Sequence, residues 1–233
     1  MTQASPNMLR VATSGDYPPF TTTSTSGYHG FDIDLAQLIA AKLGKGIEFR
    51  GFSWTEFQAL QQVCSLPDPP IDMIASGITI TAQRSKDGLF STPYLRNRAV
   101  VLGPKSQLVP ADLNAVNLTL GVNEGGFLES LARRNFPNLK ILTTQNNSQL
   151  SSMTAHGADC IMTDSLEANS ILRRGHLHLW AELEWHDIAI YMPKVRMQLC
   201  AEVDAILQSM LRDGALAACA KRHGIDERHL PQQ

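Results

Sequence analysis

Two carboxylates three residues apart, Asp164 and Glu167, stand in Met162-Thr163-Asp164-Ser165-Leu166-Glu167-Ala168. Gly157-Ala158-Asp159-Cys160-Ile161 precedes them and reads as a small turn feeding a short apolar strand, so the pair falls where a strand becomes a helix. An aspartate at a helix start is ordinary, because its oxygen caps free backbone amides. Glu167, one turn further on, has two readings. It is either a solvated first-turn acid favoured by the helix dipole or a proton donor aimed into a cleft. The first reading describes a binding protein and the second an enzyme.

The elements that must position these groups alternate between strand and helix. Leu9-Arg10-Val11-Ala12-Thr13 reads as a buried strand, ended by the rigid loop Ser14-Gly15-Asp16-Tyr17-Pro18-Pro19. After Gly27 and Gly30, Asp32 is placed to cap a helix whose Leu35, Leu38, Ile39 and Leu43 share one face, and Gly44 stops it. Ile47–Arg50 is a second strand and Trp54–Val63 a second helix. Asp72–Gly77 is a third strand, and Val100–Leu102 an apolar strand suited to crossing between lobes. The pattern begins again at Leu118–Val122, followed by the turn Asn123-Glu124-Gly125-Gly126 and a helix from Phe127 to Asn135. Lys140–Leu142 and Asp159–Met162 read as strands and Leu150–Ala155 as helical. Ala189–Met192 reads as a returning strand, before two final helices split by Asp213-Gly214. Such alternation predicts an α/β architecture with mainly parallel sheets. Its repetition predicts two lobes, one of residues 1–100 plus 192–233 and one of residues 101–191, with a ligand cleft between them.

The bulk numbers exclude several functions. With 233 residues, 43% hydrophobic and 18% charged, the composition is that of a globular protein. A net charge of −2 offers no electrostatic case for nucleic acid or an anionic membrane. No apolar run approaches the roughly 20 residues that span a bilayer. No secretory signal is visible, and Met1 to Asn7 is the length of stub that trimming one would leave. Cys64, Cys160, Cys200 and Cys219 match no zinc spacing and read as buried free thiols, with Cys200–Cys219 or Cys64–Cys160 disulfides as the alternative. The histidines, His176 and His178 included, complete no metal site. There is no P-loop, no dinucleotide fingerprint and no serine or cysteine triad.

Gly15-Asp16-Tyr17-Pro18-Pro19-Phe20, followed by Gly30-Phe31-Asp32-Ile33-Asp34-Leu35-Ala36, is similar to the opening of amino-acid-binding periplasmic solute receptors. Ser76-Gly77-Ile78-Thr79-Ile80-Thr81 with Arg84, then Phe90-Ser91-Thr92-Pro93-Tyr94, resembles their ligand-anchoring segment. The resemblance runs from about Leu9 to Gly224. It implies the two-lobed, type II periplasmic-binding-protein fold. Within that superfamily the chain looks most like the cyclohexadienyl (arogenate/prephenate) dehydratases. The features are Trp54 after Ser53, Tyr94-Leu95-Arg96, and Thr163-Asp164 followed by Glu167-Ala168. Two features depart from that pattern. Phe127-Leu128 stands where those enzymes carry Thr-Asn, and Ala99 lies near the place of an expected lysine.

Candidate contacts follow. Arg84 has the planar fork that grips a carboxylate with two hydrogen bonds, and Thr79 adds a hydroxyl beside it. Tyr17 and Trp54 can wall a ring or apolar side chain, with core packing as the alternative. Gly77 belongs to the anchoring segment, and the backbone amides of Gly126 and Phe127 can receive an anion at a helix start. Asp164 pairs with an amino group in a receptor, or supports Glu167 and raises its pKa in an enzyme. The resemblance implies a carbon–oxygen lyase of phenylalanine biosynthesis with Glu167 as general acid, needing no metal or organic cofactor. The alternative is a non-catalytic receptor for an amino acid or related carboxylate, delivering it to a transporter. Either way the partner is a small carboxylate or amino acid. The implied location of the mature form is the periplasm, with the cytoplasm as alternative. Oligomeric state is not readable from the chain.

Overall fold

The computed structural model describes residues 7–232, with the side chains of Thr55 and Gln58 left aside. The expectation of a trimmed leader's stub at Met1–Asn7 lies outside the described residues for all but Asn7. The chain divides into two compact units, Met1–Arg96 with Asp187–Gln233, and Asn97–His186. Both junctions fall inside long strands, a few residues ahead of the crossings expected from the sequence pattern.

The first unit opens with β1 (Met8–Thr13). A small antiparallel ribbon follows, of β2 (Asp16–Tyr17), β3 (Thr21–Ser24) and β4 (Gly27–His29). Helix α1 (Phe31–Lys42) comes next, then β5 (Gly46–Gly51), α2 (Phe57–Val63), β6 (Met73–Ile74) and β7 (Gly88–Phe90). Strand β8 (Leu95–Pro104) leads into the second unit. That unit holds β9 (Thr119–Asn123), α3 (Phe127–Asn135), β10 (Lys140–Thr144), β11 (Cys160–Asp164) and α4 (Ser165–Leu172). Strand β12 (Leu177–Ile188) leads back to β13 (Tyr191–Pro193), α5 (Met197–Arg212) and α6 (Ala215–Arg222) in the first unit.

Each unit is built on a five-stranded sheet. The first has the order β5-β1-β6-β13-β7, with β1 parallel to both β5 and β6. The second has the order β10-β9-β11-β8-β12, with β9 parallel to β10 and β11, and β8 antiparallel to β11. Side chains alternate across a strand, and in the second unit both faces are covered. Cys160 and Met162 of β11 join Ala99 and Val101 of β8 on the face packed with Leu128 and Leu131 of α3. Ile161, Val100 and Leu102 pack on the other face with Leu150, Met153, Ala168 and Ile171. In the first unit Ala12, Phe52, Phe57, Ile74, Ile78 and Tyr191 form one such cluster.

Several sequence expectations are corrected. Asp32 does not cap α1; Gly30 holds the N-cap position at φ 128°. The first amides, of Phe31 and Asp32, donate instead to the Pro19 and Phe20 carbonyls. A Cβ on Gly30 would lie 2.4 Å from the Phe20 oxygen, so glycine is needed there. The capping work is done by backbone, and Asp32 turns inward. The strand expected over Asp72–Gly77 is only Met73–Ile74, flanked by backbone bonds of Asp72 and Ala75 to β1, and Gly77 turns the chain at φ 63°. The helical stretch expected at Leu150–Ala155 is present as 3-10 helix and begins earlier, at Asn147, opened by the Asn146 side chain accepting from the Ser148 amide. All four cysteines are free and buried, so neither disulfide forms.

Candidate functional site

In the first unit the segment from Gly77 to Arg84 leaves the sheet beside a cluster of aromatic rings. Gly77 is packed so closely that a Cβ would meet Tyr17 Cε1 at 2.8 Å. Tyr17 packs against Phe20 at 4.9 Å between ring centroids and edge-on to Trp54 at 6.1 Å. The Trp54 indole N–H donates to Asp16 at 3.2 Å. Trp54 is half-buried, and its ring also meets Phe52 and Phe57. Tyr17 thus touches both Trp54 and Gly77.

Arg84 is 8% exposed and buried on this cluster. Its Nη1 donates to the Thr79 carbonyl at 2.8 Å, and its guanidinium lies over the Phe57 ring at 4.8 Å. The Thr81 hydroxyl accepts from the Arg84 amide, and the Tyr191 hydroxyl donates to the Arg84 carbonyl. Backbone and side chain are therefore both fixed. No carboxylate among the described residues of this unit lies within ion-pairing distance of Arg84, and burial pulls its pKa down to about 10. Desolvating a cation without an anion is costly. Thr79 serves Arg84 through its backbone oxygen, and its own hydroxyl is buried.

Beneath this segment lies Asp32, fully buried. It accepts from the Gly77 amide at 2.6 Å and from the Tyr94 hydroxyl at 2.8 Å. Burial raises its pKa to about 7, against the opposing pull of these hydrogen bonds. Sequence reasoning had taken Asp32 as a helix cap and missed this role.

In the second unit Asp164 and Glu167 stand at the β11–α4 junction, both buried at 3% and 4% exposure. The solvated-acid reading of Glu167 is thereby excluded. Its Oε1 accepts from Asn147 Nδ2 at 2.5 Å and its Oε2 from the Thr163 hydroxyl. Asn147 in turn accepts from Asn123 Nδ2. A hydroxyl can donate or accept, so Thr163 can serve Glu167 in either protonation state without moving a heavy atom.

Asp164 holds the N-cap position of α4 but makes no capping bond. That work falls to Asn97, whose Oδ1 accepts from the Ser165 hydroxyl at 2.9 Å and the Leu166 amide at 3.3 Å. Asp164 Oδ1 lies instead 3.0 Å from His186 Nε2, with both side chains buried. The His186 ring packs on Phe127 at 4.8 Å. Alternation along β11 sends the two carboxylates to different neighbours: Asp164 shares the face of Cys160 and Met162, and Thr163, which holds Glu167, shares the face of Ile161. Ala99 is the register partner of Asp164 on β8. At the turn into α3, Gly125 has φ 72°, and its amide donates to Glu129 at 2.7 Å. Gly126 is the N-cap with no side-chain bond, Phe127 is partly buried, and Leu128 belongs to the core. Asn97, Asn123, Asn147, Thr163 and His186 were not identified from sequence. Each stands beside a partner from another element, and Thr163 alone is near its partner in sequence, at a spacing of four from Glu167.

The chain belongs to the bacterial extracellular solute-binding proteins, family 3, whose model matches residues 9–225. Among curated relatives, the cyclohexadienyl dehydratase of Pseudomonas aeruginosa is 35% identical over 167 residues, covering 69% of this chain and 60% of that protein. The arginine-binding extracellular protein ArtP of Bacillus subtilis is 28% identical over 139 residues, covering 60% and 52%. The matched segment thus spans little more than half the length of these two relatives. An ancestral amino acid-binding protein, a precursor of cyclohexadienyl dehydratase, has a solved structure that aligns with a TM-score of 0.84 and 28% identity, covering 93% of this chain and 95% of that one. The chain has the α/β two-lobed periplasmic-binding-protein fold of these neighbours. Among the described residues no helix is long and apolar enough to cross a membrane.

Proposed function

We propose that this protein is a lyase resembling cyclohexadienyl dehydratase, acting on prephenate or arogenate. Arg84 holds a substrate carboxylate, and the amides of Gly126 and Phe127 receive a second anionic group. Tyr17 and Trp54 pack on the ring. Glu167 protonates the departing ring hydroxyl, which leaves as water. The ring carboxylate leaves as carbon dioxide, and its bonding electron pair completes the aromatic ring. Glu167 then regains its proton from solvent. Such chemistry asks for one placed acid and orientation, and a general acid contributes about 10²–10⁴-fold.

The observation that carries this reading is the burial of Glu167 between Asn147 and Thr163, where a surface acid would have stood in water. The test is ultraviolet absorbance of phenylpyruvate or phenylalanine after mixing with prephenate or arogenate. Turnover that Glu167→Gln lowers by about 10²–10⁴-fold supports the assignment. Turnover that survives this change removes Glu167 from the role, and absence of turnover removes the lyase reading.

A second reading, a non-catalytic receptor for an amino acid or related carboxylate that serves a transporter, is favoured by one feature. Phe127-Leu128 offers no side-chain donor at the turn into α3. Calorimetric binding of an amino acid without turnover of either dehydratase substrate is its expected outcome. Both readings place the mature protein outside the cytoplasm, as the family does.

A further inference from the structure

Cys219 and His223 stand four positions apart, on α6 and at its C-cap, so their side chains leave one face of that helix. Asp34, in the first turn of α1, meets them from 189 positions away in sequence, with its Oδ2 2.9 Å from His223 Nε2. One ligating atom from each of the three, the Cys219 sulfur included, lies within 4.8 Å of the other two. Cys219 is fully buried, and its thiol makes no hydrogen bond among the described residues. The His223 ring is steadied by the edge of Phe31 at 6.1 Å between centroids. Asp34 and His223 keep 35% and 21% of their side chains exposed, so an ion reaches the buried sulfur from their side. Arg222 also approaches Asp34 Oδ2, at 3.5 Å, but its side chain is 54% exposed and solvent takes up its charge when it turns away.

A thiolate, an imidazole and a carboxylate are the donor set of a borderline-soft dication such as Zn²⁺. Hard ions such as Ca²⁺ and Mg²⁺ take shells of oxygen, which this cluster does not supply. Bonds of about 2.0–2.3 Å put the ligating atoms about 3.5 Å apart around a tetrahedral ion. Asp34 and His223 therefore part slightly to admit it, and Cys219 closes on it by about 1 Å at most. The thiol proton passes to solvent as the sulfur–metal bond forms, and His223 presents the Nε2 lone pair in the tautomer protonated at Nδ1. The ion also sits at the carbonyl end of α6, where positive charge is favoured. Cysteine spacing and histidine spacing, read separately along the chain, complete no metal set; the third ligand comes from another helix.

We propose that Asp34, Cys219 and His223 form a three-ligand site for a zinc-type transition-metal dication, with water in the fourth position, that clips the C-terminal end of α6 to the first turn of α1. The site belongs to the first unit alone, and the reaction proposed above takes no step through it.

The test is calorimetry of the untagged, chelator-stripped and reduced full chain with zinc chloride, beside absorption spectra with Co²⁺. One equivalent of zinc is expected to bind and to raise the thermal unfolding midpoint. Cobalt is expected to show the near-ultraviolet charge-transfer band of a thiolate ligand. His223→Gln and Asp34→Asn, at partly exposed side chains, each weaken zinc binding at least tenfold, and Cys219→Ser abolishes the thiolate band. Cys200→Ser, which alters a buried thiol of α5, leaves both signals as in the wild type. Absence of stoichiometric zinc binding overturns the proposal. So does wild-type affinity in His223→Gln and Asp34→Asn, or a thiolate band that survives Cys219→Ser or disappears with Cys200→Ser, in variants that circular dichroism shows folded.

Discussion

The two units treat buried charge in opposite ways. In the first, Arg84 is a cation held in place by a carbonyl, a ring and its own backbone bonds, with no carboxylate of that unit beside it. In the second, the carboxyl groups of Asp164 and Glu167 stand beside three side chains, His186, Asn147 and Thr163. The difference separates a socket from a network. On the proposed function, the counter-ion that Arg84 lacks within its unit is a ligand carboxylate, and its energetic deficit is recovered on binding. Glu167 is already held by Asn147 and Thr163, so its carboxyl is positioned before any ligand arrives. Arg84 is held in place but left without a counter-charge in its unit, whereas Glu167 is both held and hydrogen-bonded.

The largest expected break in this comparison is Glu167→Gln, which lowers turnover by about 10²–10⁴-fold while leaving substrate affinity within a few-fold. Single-turnover kinetics beside calorimetry checks the split, and parallel loss of affinity would make Glu167 part of a binding network alone.

Asp32 tests the support beneath Arg84. Its folded-state pKa of about 7 lies above the ordinary carboxylate value. Its contribution to stability is therefore complete below about pH 4 and is lost as pH rises to about 7, a change of about 4 kcal/mol in all. Urea unfolding across that window should show stability falling with pH, and Asp32→Asn should flatten the slope.

Arg84→Met sharpens the socket reading, because affinity and stability should move in opposite directions. Losing a charge-assisted carboxylate grip lowers affinity by about 10²-fold. Removing an unpaired buried cation raises folding stability by about 1–3 kcal/mol. Calorimetry and urea unfolding of the same preparation measure both. A variant that is destabilised would mean that the Thr79 bond and the Phe57 contact outweigh the desolvation of the guanidinium.

The smallest expected effect lies in the network. Asn97→Ala removes the acceptor for the Ser165 hydroxyl and the Leu166 amide and should cost about 1–2 kcal/mol, the loss of a helix cap. Thermal unfolding checks it. A negligible loss would show that Asp164, already at the N-cap position, can turn back to the task.

The chain's alternation of apolar strands, glycine stops and amphipathic helices was enough to read the α/β class and the repeated strand–helix pattern, because those signals are local and add over many residues. The motifs that named Tyr17, Trp54, Gly77 and Arg84 as candidates were local too, each carried by a short run of neighbouring residues. Short polar contacts were not. Asp32 reads as a cap because aspartate before an apolar helix usually is one, and only the Pro19 and Phe20 carbonyls, by taking the first amides, release it inward. Asp164 reads as a cap for the same reason and loses that work to Asn97, 68 positions from the Ser165 it holds. His186 and Asn147 carry no local signal at all. Residue types at their spacing determined that Asp164 and Glu167 sit at a strand-to-helix junction. Which groups those carboxylates meet, and that water is not one of them for Glu167, was decided by sheet register and burial, since a side chain's partner is set by what the folded backbone brings beside it.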